Sequence, residues 1–145
     1  MAVVQKNVLV SFSDEQMFAL VEKVEDYPEF LPWCGGVVVS ERSEQHLKAT
    51  LSINYHGIKQ SFTTHNVNSR PHTMEMRLVD GPFKQLYGFW TFTALREDAC
   101  KIDFTLEYEF SNHFLESLIG PIFGKIANNF VDAFCARAEV VYGSQ

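Results

Sequence analysis

The sequence predicts an α+β domain. A curved antiparallel sheet of about seven strands wraps around a long C-terminal helix, with one or two short helices after strand 1. Three observations predict it. Between about residue 36 and residue 110, apolar and polar residues alternate with a period of two, which describes a sheet with one wet and one covered face. Residues 112–142 return to helical spacing with one apolar stripe. Turn-forming clusters separate the alternating runs at hairpin intervals. A one-faced sheet needs a cover and an amphipathic helix needs a floor, so each supplies what the other lacks. Repeats, low-complexity tracts and linker-like stretches are absent, so residues 1–145 read as one domain.

In chain order, the β-branched run over residues 3–11 predicts the first strand. Ser13 reads as the N-cap of the next helix, with acids in its first turn and Gln16 three residues on, as in a capping box. Met17, Phe18, Leu20, Val21 and Val24 then share one face. Pro28 and Pro32 prevent a long helix over residues 26–36 and leave a short helical turn or loop rich in large apolar groups. The alternation is cleanest in Leu47, Ala49, Leu51, Ile53 and Tyr55, and in Cys100, Ile102, Phe104, Leu106, Tyr108 and Phe110. Met74, Met76 and Leu78 continue it, and Ile58, Phe62, Trp90 and Phe92 extend it less cleanly. Turns are expected at Tyr55-His56-Gly57, Arg70-Pro71-His72, Asp80-Gly81-Pro82 and Arg96-Glu97-Asp98. Phe123, Ile126, Ala127, Phe130, Phe134, Ala138 and Val141 form the stripe of the last helix. Gly120-Pro121 interrupts it: either the helix kinks there, or a short helix ends and the main one starts at Pro121.

Composition narrows the function classes. The net charge of −6 disfavours a broad basic face for nucleic acid, and no DNA partner is expected. Three widely spaced cysteines, Cys34, Cys100 and Cys135, predict reduced thiols and a cytoplasmic setting. The first residues lack a basic region followed by an apolar stretch, so no signal peptide is expected. No apolar run approaches the ~18 residues that span a bilayer, so no integral membrane segment is expected. Thirteen Phe, five Tyr and two Trp suit a deep core or a roomy apolar cavity, and composition does not separate the two.

Chemistry-bearing constellations do not emerge. The five histidines show no metal-ligand spacing; His56 falls in a turn and His65 on the polar face of a strand. Nucleophile elbows, phosphate-cradling loops and dinucleotide fingerprints are absent. Glu107 and Glu109 lie on a polar strand face and read as solvated. Cys34 has no His or Lys beside it to lower its pKa, so an inert buried thiol is expected. No catalytic and no metal-binding residues are therefore assigned. Two features rise above this background. Tyr27 to Cys34 is either a hydrophobic plug or the rim of a pocket, and Gly120-Pro121 is either a packing accommodation or a portal under the helix.

Particular motifs carry a resemblance along nearly the whole chain. They are VEDYPEFLPWC, FTTHNV, LVDGPFKQL, the G-x-W-x-F of Gly88 to Phe92, and the Phe123 to Ala138 segment FGKIANNFVDAFCARA. In this order they resemble the ribosome association toxin (RatA) family, of the coenzyme Q-binding, polyketide cyclase-like branch of the START-like, helix-grip superfamily. The resemblance implies a hydrophobic ligand such as ubiquinone or another isoprenoid lipid, and no required cofactor. It also implies binding to the large ribosomal subunit that blocks subunit association. With an acidic chain, such binding calls for a local patch or for ribosomal proteins.

The expected function is a non-catalytic binding protein with an apolar cavity. The expected lining comes from the segment after the first helix (Tyr27, Phe30, Leu31, Trp33), the strands (Leu51, Ile53, Phe62, Met74, Met76, Leu78, Trp90, Phe92) and the long helix (Ile122, Phe123, Ile126, Phe130). The alternative is a polyketide cyclase/dehydratase-like enzyme, which requires acid or base groups inside the cavity, where the alternation puts few.

Overall fold

The computed structural model describes residues 1–143. The chain runs β1 (Ala2–Val10), α1 (Asp14–Glu22), a 3-10 turn (Val24–Asp26) and α2 (Tyr27–Phe30). It continues through β2 (Cys34–Arg42), β3 (His46–Tyr55), β4 (Ile58–Ser69), β5 (Thr73–Asp80), β6 (Phe83–Arg96), β7 (Ala99–Phe110) and α3 (His113–Tyr142). Seven strands form one antiparallel sheet in the order β1-β7-β6-β5-β4-β3-β2, a meander closed at one side by the first strand. Irregularities in the pairing of β2 with β3, β4 with β5, and β6 with β7 add the local twist that lets such a sheet curl around a helix.

Local chemistry explains the ends of the elements. Ser13 Oγ accepts the Gln16 N–H at 3.1 Å and Gln16 Oε1 accepts the Ser13 N–H at 2.9 Å, so the expected capping box starts α1. Ser13→Ala is expected to cost about 1 kcal/mol and leave the fold intact, as a thermal or urea melt will show. Met17, Phe18 and Val21 of α1 are buried, as is Val24 in the turn beyond it. Between β3 and β4, His56 and Gly57 both have positive φ (50° and 83°), the backbone of a two-residue hairpin turn that favours glycine.

The strand alternation appears as expected: Leu47, Ala49, Leu51 and Ile53 of β3 are buried, as are Cys100, Ile102, Phe104, Leu106, Tyr108 and Phe110 of β7. α3 begins where Asn112 Oδ1 accepts the Leu115 N–H at 2.9 Å, and its 30 residues, at 1.5 Å each, reach about 45 Å. It continues through Gly120-Pro121, so the single helix is the arrangement found. Its buried side is Ile119, Phe123, Ile126, Ala127, Val131, Phe134 and Ala138. Val141 departs from the expected stripe and is exposed. The final turn meets α1 through Tyr142, whose hydroxyl donates to the Gln16 carbonyl at 3.0 Å.

Candidate functional site

Aromatic rings between α3 and the sheet gather into two groups. In the first, Phe134 stands 5.3 Å from Tyr27, 5.3 Å from Phe30, 5.5 Å from Trp90 and 5.0 Å from Phe130. In the second, Phe123 stands 4.9 Å from Phe83, 4.8 Å from Tyr108 and 6.2 Å from Phe62. Between them lies a small chamber of about 60 Å³. It is lined by Trp33, Phe62, Thr64, Met76, Leu86, Phe104, Leu106, Phe123, Ile126, Ala127 and Phe130. Two small residues shape the space, one by leaving room in it and one by seating a lining side chain. Ala127 presents only a methyl from the helix, and on the sheet Gly88 faces Met76, whose terminal methyl lies where a Cβ on Gly88 would sit.

Outside the chamber an apolar groove of about 150 Å³ runs along α3. Leu31, Pro32, Trp33 and Tyr55 form one wall, and Ile122, Lys125, Ile126, Asn129, Phe130 and Ala133 the other. Trp33, Ile126 and Phe130 belong to both linings and divide chamber from groove. The groove therefore lies beside the Tyr27–Cys34 segment. Gly120-Pro121 borders a different surface cleft, shared with Met1, Ala2, Tyr108, Glu109, Phe110 and Glu116.

Of the expected lining residues, Trp33, Phe62, Met76, Phe123, Ile126 and Phe130 meet at the chamber, and Leu31 and Ile122 at the groove. Tyr27, Leu51, Ile53, Met74, Trp90 and Phe92 are packed in the core, while Phe30 and Leu78 are half-buried beside it. Tyr27 is fixed by its hydroxyl, which donates to the Val21 carbonyl at 2.5 Å, and burial pushes that hydroxyl's pKa well up. Phe92 is covered by Phe18 of α1, 5.6 Å away. Phe104, Leu106 and Ala127, placed by the sequence on covered faces but not in the expected lining, complete the chamber with Leu86 and Thr64, which the sequence did not single out. The four strand residues follow from parity and register once Met76 and Trp90 are placed facing inward, and Ala127 from its place one turn beyond Phe123 on α3.

The lining carries no side chain that titrates near neutral pH; its polar groups are the Thr64 hydroxyl and the Trp33 indole. The thiols are held protonated. Burial raises Cys34 and Cys135, and burial together with the Asp14 charge pushes Cys100 from an ordinary 9.0 up to about 11. A folded thiol that binds its proton more tightly than the unfolded one costs stability as pH rises through the interval between the two pKa values. Stability is thus expected to fall from about pH 9 toward pH 11, and Cys100→Ala to flatten that slope in alkaline urea melts. Among the described residues no group of three or more His, Cys, Asp or Glu is arranged to hold a metal ion, and no helix is long and apolar enough to cross a membrane.

The chain matches the family model described as polyketide cyclase / dehydrase and lipid transport over residues 10–135. It is 49% identical over 140 residues to a Vibrio cholerae protein named ribosome association toxin RatA, covering 97% of each. It is 29% identical over 133 residues to the mitochondrial coenzyme Q-binding protein COQ10 of Dictyostelium discoideum, covering 89% of this chain and 65% of that one. A solved START superfamily protein from Mycobacterium smegmatis superposes with a TM-score of 0.80 at 19% identity, covering 96% of this chain and 98% of that one. That last likeness shows the fold alone. Both named relatives carry the names of a toxin and a binding protein rather than of enzymes. The match over most of the chain, with near full-length identity to a RatA protein, means that this chain belongs to the polyketide cyclase / dehydrase and lipid transport family, among its ribosome association toxin RatA members.

Proposed function

We propose that the protein is a non-catalytic carrier of a hydrophobic ligand, a quinone or another isoprenoid lipid, and that it acts in the cytoplasm on the large ribosomal subunit, hindering its union with the small one. The observation that carries the ligand half is the apolar chamber under α3, with no acid or base in the chamber's own lining, and a groove alongside whose α3 wall includes Lys125. An engineered apolar cavity of about 150 Å³ accepts benzene. The groove is of that size, while the chamber of about 60 Å³ is smaller. A ring entering from the groove therefore has to turn aside Phe130 and Trp33, which divide the two spaces, and an isoprenoid tail then lies along α3 between Ile122 and Ala133. Support comes also from the coenzyme Q-binding name of one relative and the lipid transport description of the family. The ribosome half rests on the name of the RatA relatives.

The same lining argues against the cyclase or dehydratase reading, because proton transfer needs a positioned acid or base beside the reacting atom. Organic extraction and native mass spectrometry of the purified protein are expected to yield an isoprenoid; repeated absence of any lipid mass counts against the carrier reading. Sedimentation with isolated large subunits at moderate salt is expected to show co-migration. Failure to co-migrate at any salt removes the ribosome half and leaves the carrier half standing.

A further inference from the structure

The strand β4 breaks the rule that the covered face of the sheet is apolar. Phe62 faces inward, and counting by twos from it brings Thr64, Asn66 and Asn68 to the same face. All three are nine-tenths or more buried, at 5%, 4% and 4% exposure, while Val67 between the asparagines is turned out to solvent. Asn66 Oδ1 and Asn68 Oδ1 are buried without a hydrogen-bond partner among the described residues, and so is Trp90 Nε1. Native folds leave very few such groups, since a buried amide or indole that loses water and gains nothing is destabilising.

The three groups occupy one patch. Asn68 pairs with Met74 across β5 and Met74 pairs with Trp90 across β6; Asn66 pairs with Met76, which lines the chamber. Thr64, two residues along the same face, lines it too. The Trp90 ring stands 4.4 Å from Phe104 and 5.8 Å from Phe130, both chamber residues. The three groups thus stand behind the chamber's lining residues Thr64, Met76, Phe104 and Phe130 without lining it themselves, so a ligand head reaches them only by parting those side chains.

We propose that Asn66, Asn68 and the Trp90 indole N–H recognise the head of the ligand, and that this ligand is an uncharged amphipath whose ring carries hydroxyl or carbonyl oxygens. The inference rests on the carrier reading above and adds which end enters first and what chemistry is selected. Two amide carbonyls accept from hydroxyls, and the indole and the amide NH2 groups donate to carbonyl oxygens. Every group in the patch is neutral, so a carboxylate or phosphate head would be buried without a counter-charge. Asn68 also borders a surface cleft that contains cationic groups. There Arg70 pairs with Glu22 at 2.5 Å and Arg42 pairs with Glu25, so an anion meets guanidinium groups already matched to carboxylates.

Three probes with one tail separate the possibilities: 4-nonylphenol, nonylbenzene and 4-nonylbenzoate, titrated calorimetrically at neutral pH into the full chain. The phenol is expected to bind about tenfold more tightly than nonylbenzene, and the benzoate more weakly than the phenol by a similar factor. In Asn66→Leu and Asn68→Leu the advantage of the phenol should shrink to about twofold or less while nonylbenzene still binds. Nonylbenzene binding with no preference for the phenol, or a preference the variants retain, overturns the proposal and leaves the carrier reading intact. Binding of none of the probes overturns both. A readout free of any change to the patch is the pair of indole N–H resonances, assigned with Trp33→Phe. The Trp90 signal should move with nonylphenol and stay with nonylbenzene, and a Trp90 signal indifferent to the phenol contradicts the proposal.

Discussion

Phe134→Ala is expected to lower the unfolding free energy by about 3–5 kcal/mol. Phe134 has no exposed surface and lies where α2, α3 and the sheet meet, within 5.5 Å of the rings of Tyr27, Phe30, Phe130 and Trp90. Three of those neighbours cannot close the gap. Tyr27 is tied to the Val21 carbonyl, Trp90 is held in a central strand, and Phe30 sits on a four-residue helix pinned by Pro28. A cavity that cannot collapse places the cost toward the upper end of the range. For a domain of this size that corresponds to a melting temperature lower by roughly 10–15 °C. Differential scanning calorimetry will decide it. A loss of under about 1 kcal/mol would mean that the ring cluster repacks freely and does not set the position of α3.

Ala127→Leu is expected to have the largest effect on ligand binding. Ala127 is buried, lines the chamber from the helix side and leaves room there by presenting only a methyl. Three added carbons there enter a space of about 60 Å³ and occupy most of it. Because the volume goes into an existing void, the stability change should stay below the ~1–3 kcal/mol typical of overpacking a filled core. Affinity for decylubiquinone should fall at least about tenfold. Unchanged affinity alongside an unchanged urea midpoint would place the ligand elsewhere on the molecule. The two substitutions thus separate what holds α3 in place from what the space beneath it is for.

Much of this arrangement is legible in the residues. The period-two runs of β3 and β7 can be buried on only one face, so the covered face of the sheet follows from them directly. The stripe on α3 likewise marks most of its buried side as far as Ala138, but Val131 is buried beside it, Phe130 is only half-buried and Val141 is exposed. β4 is less readable by composition. Its covered face carries Thr64, Asn66 and Asn68 while Val67 faces out, the reverse of what hydropathy suggests. Parity held the answer, since Phe62 and Thr64, Asn66 and Asn68 differ by even steps, and the pairing of Asn66 between Leu47 and Met76 enforces it.

The division of the aromatic residues between chamber and core is a matter of docking. Phe92 and Trp90 face the same side as the chamber residues, yet Phe18 of α1 covers the first and Phe130 and Phe134 of α3 cover the second. Where a helix comes to rest on a sheet depends on side chains from distant parts of the chain, and strand periodicity carries no record of it.

Entry of an apolar ligand into the space between α3 and the sheet is reported directly by the four methionines. Met76 lines the chamber, Met74 is its buried neighbour on β5, Met17 is buried on α1, and Met1 is 67% exposed at the end of the chain. With the methionine methyls labelled with carbon-13, a decylubiquinone titration followed by NMR is expected to give saturable shifts largest at Met76, smaller at Met74, and negligible at Met1 and Met17. A stationary Met76 while Met1 moves, or no saturable shift at any of the four, would mean that no ligand enters the space beneath α3.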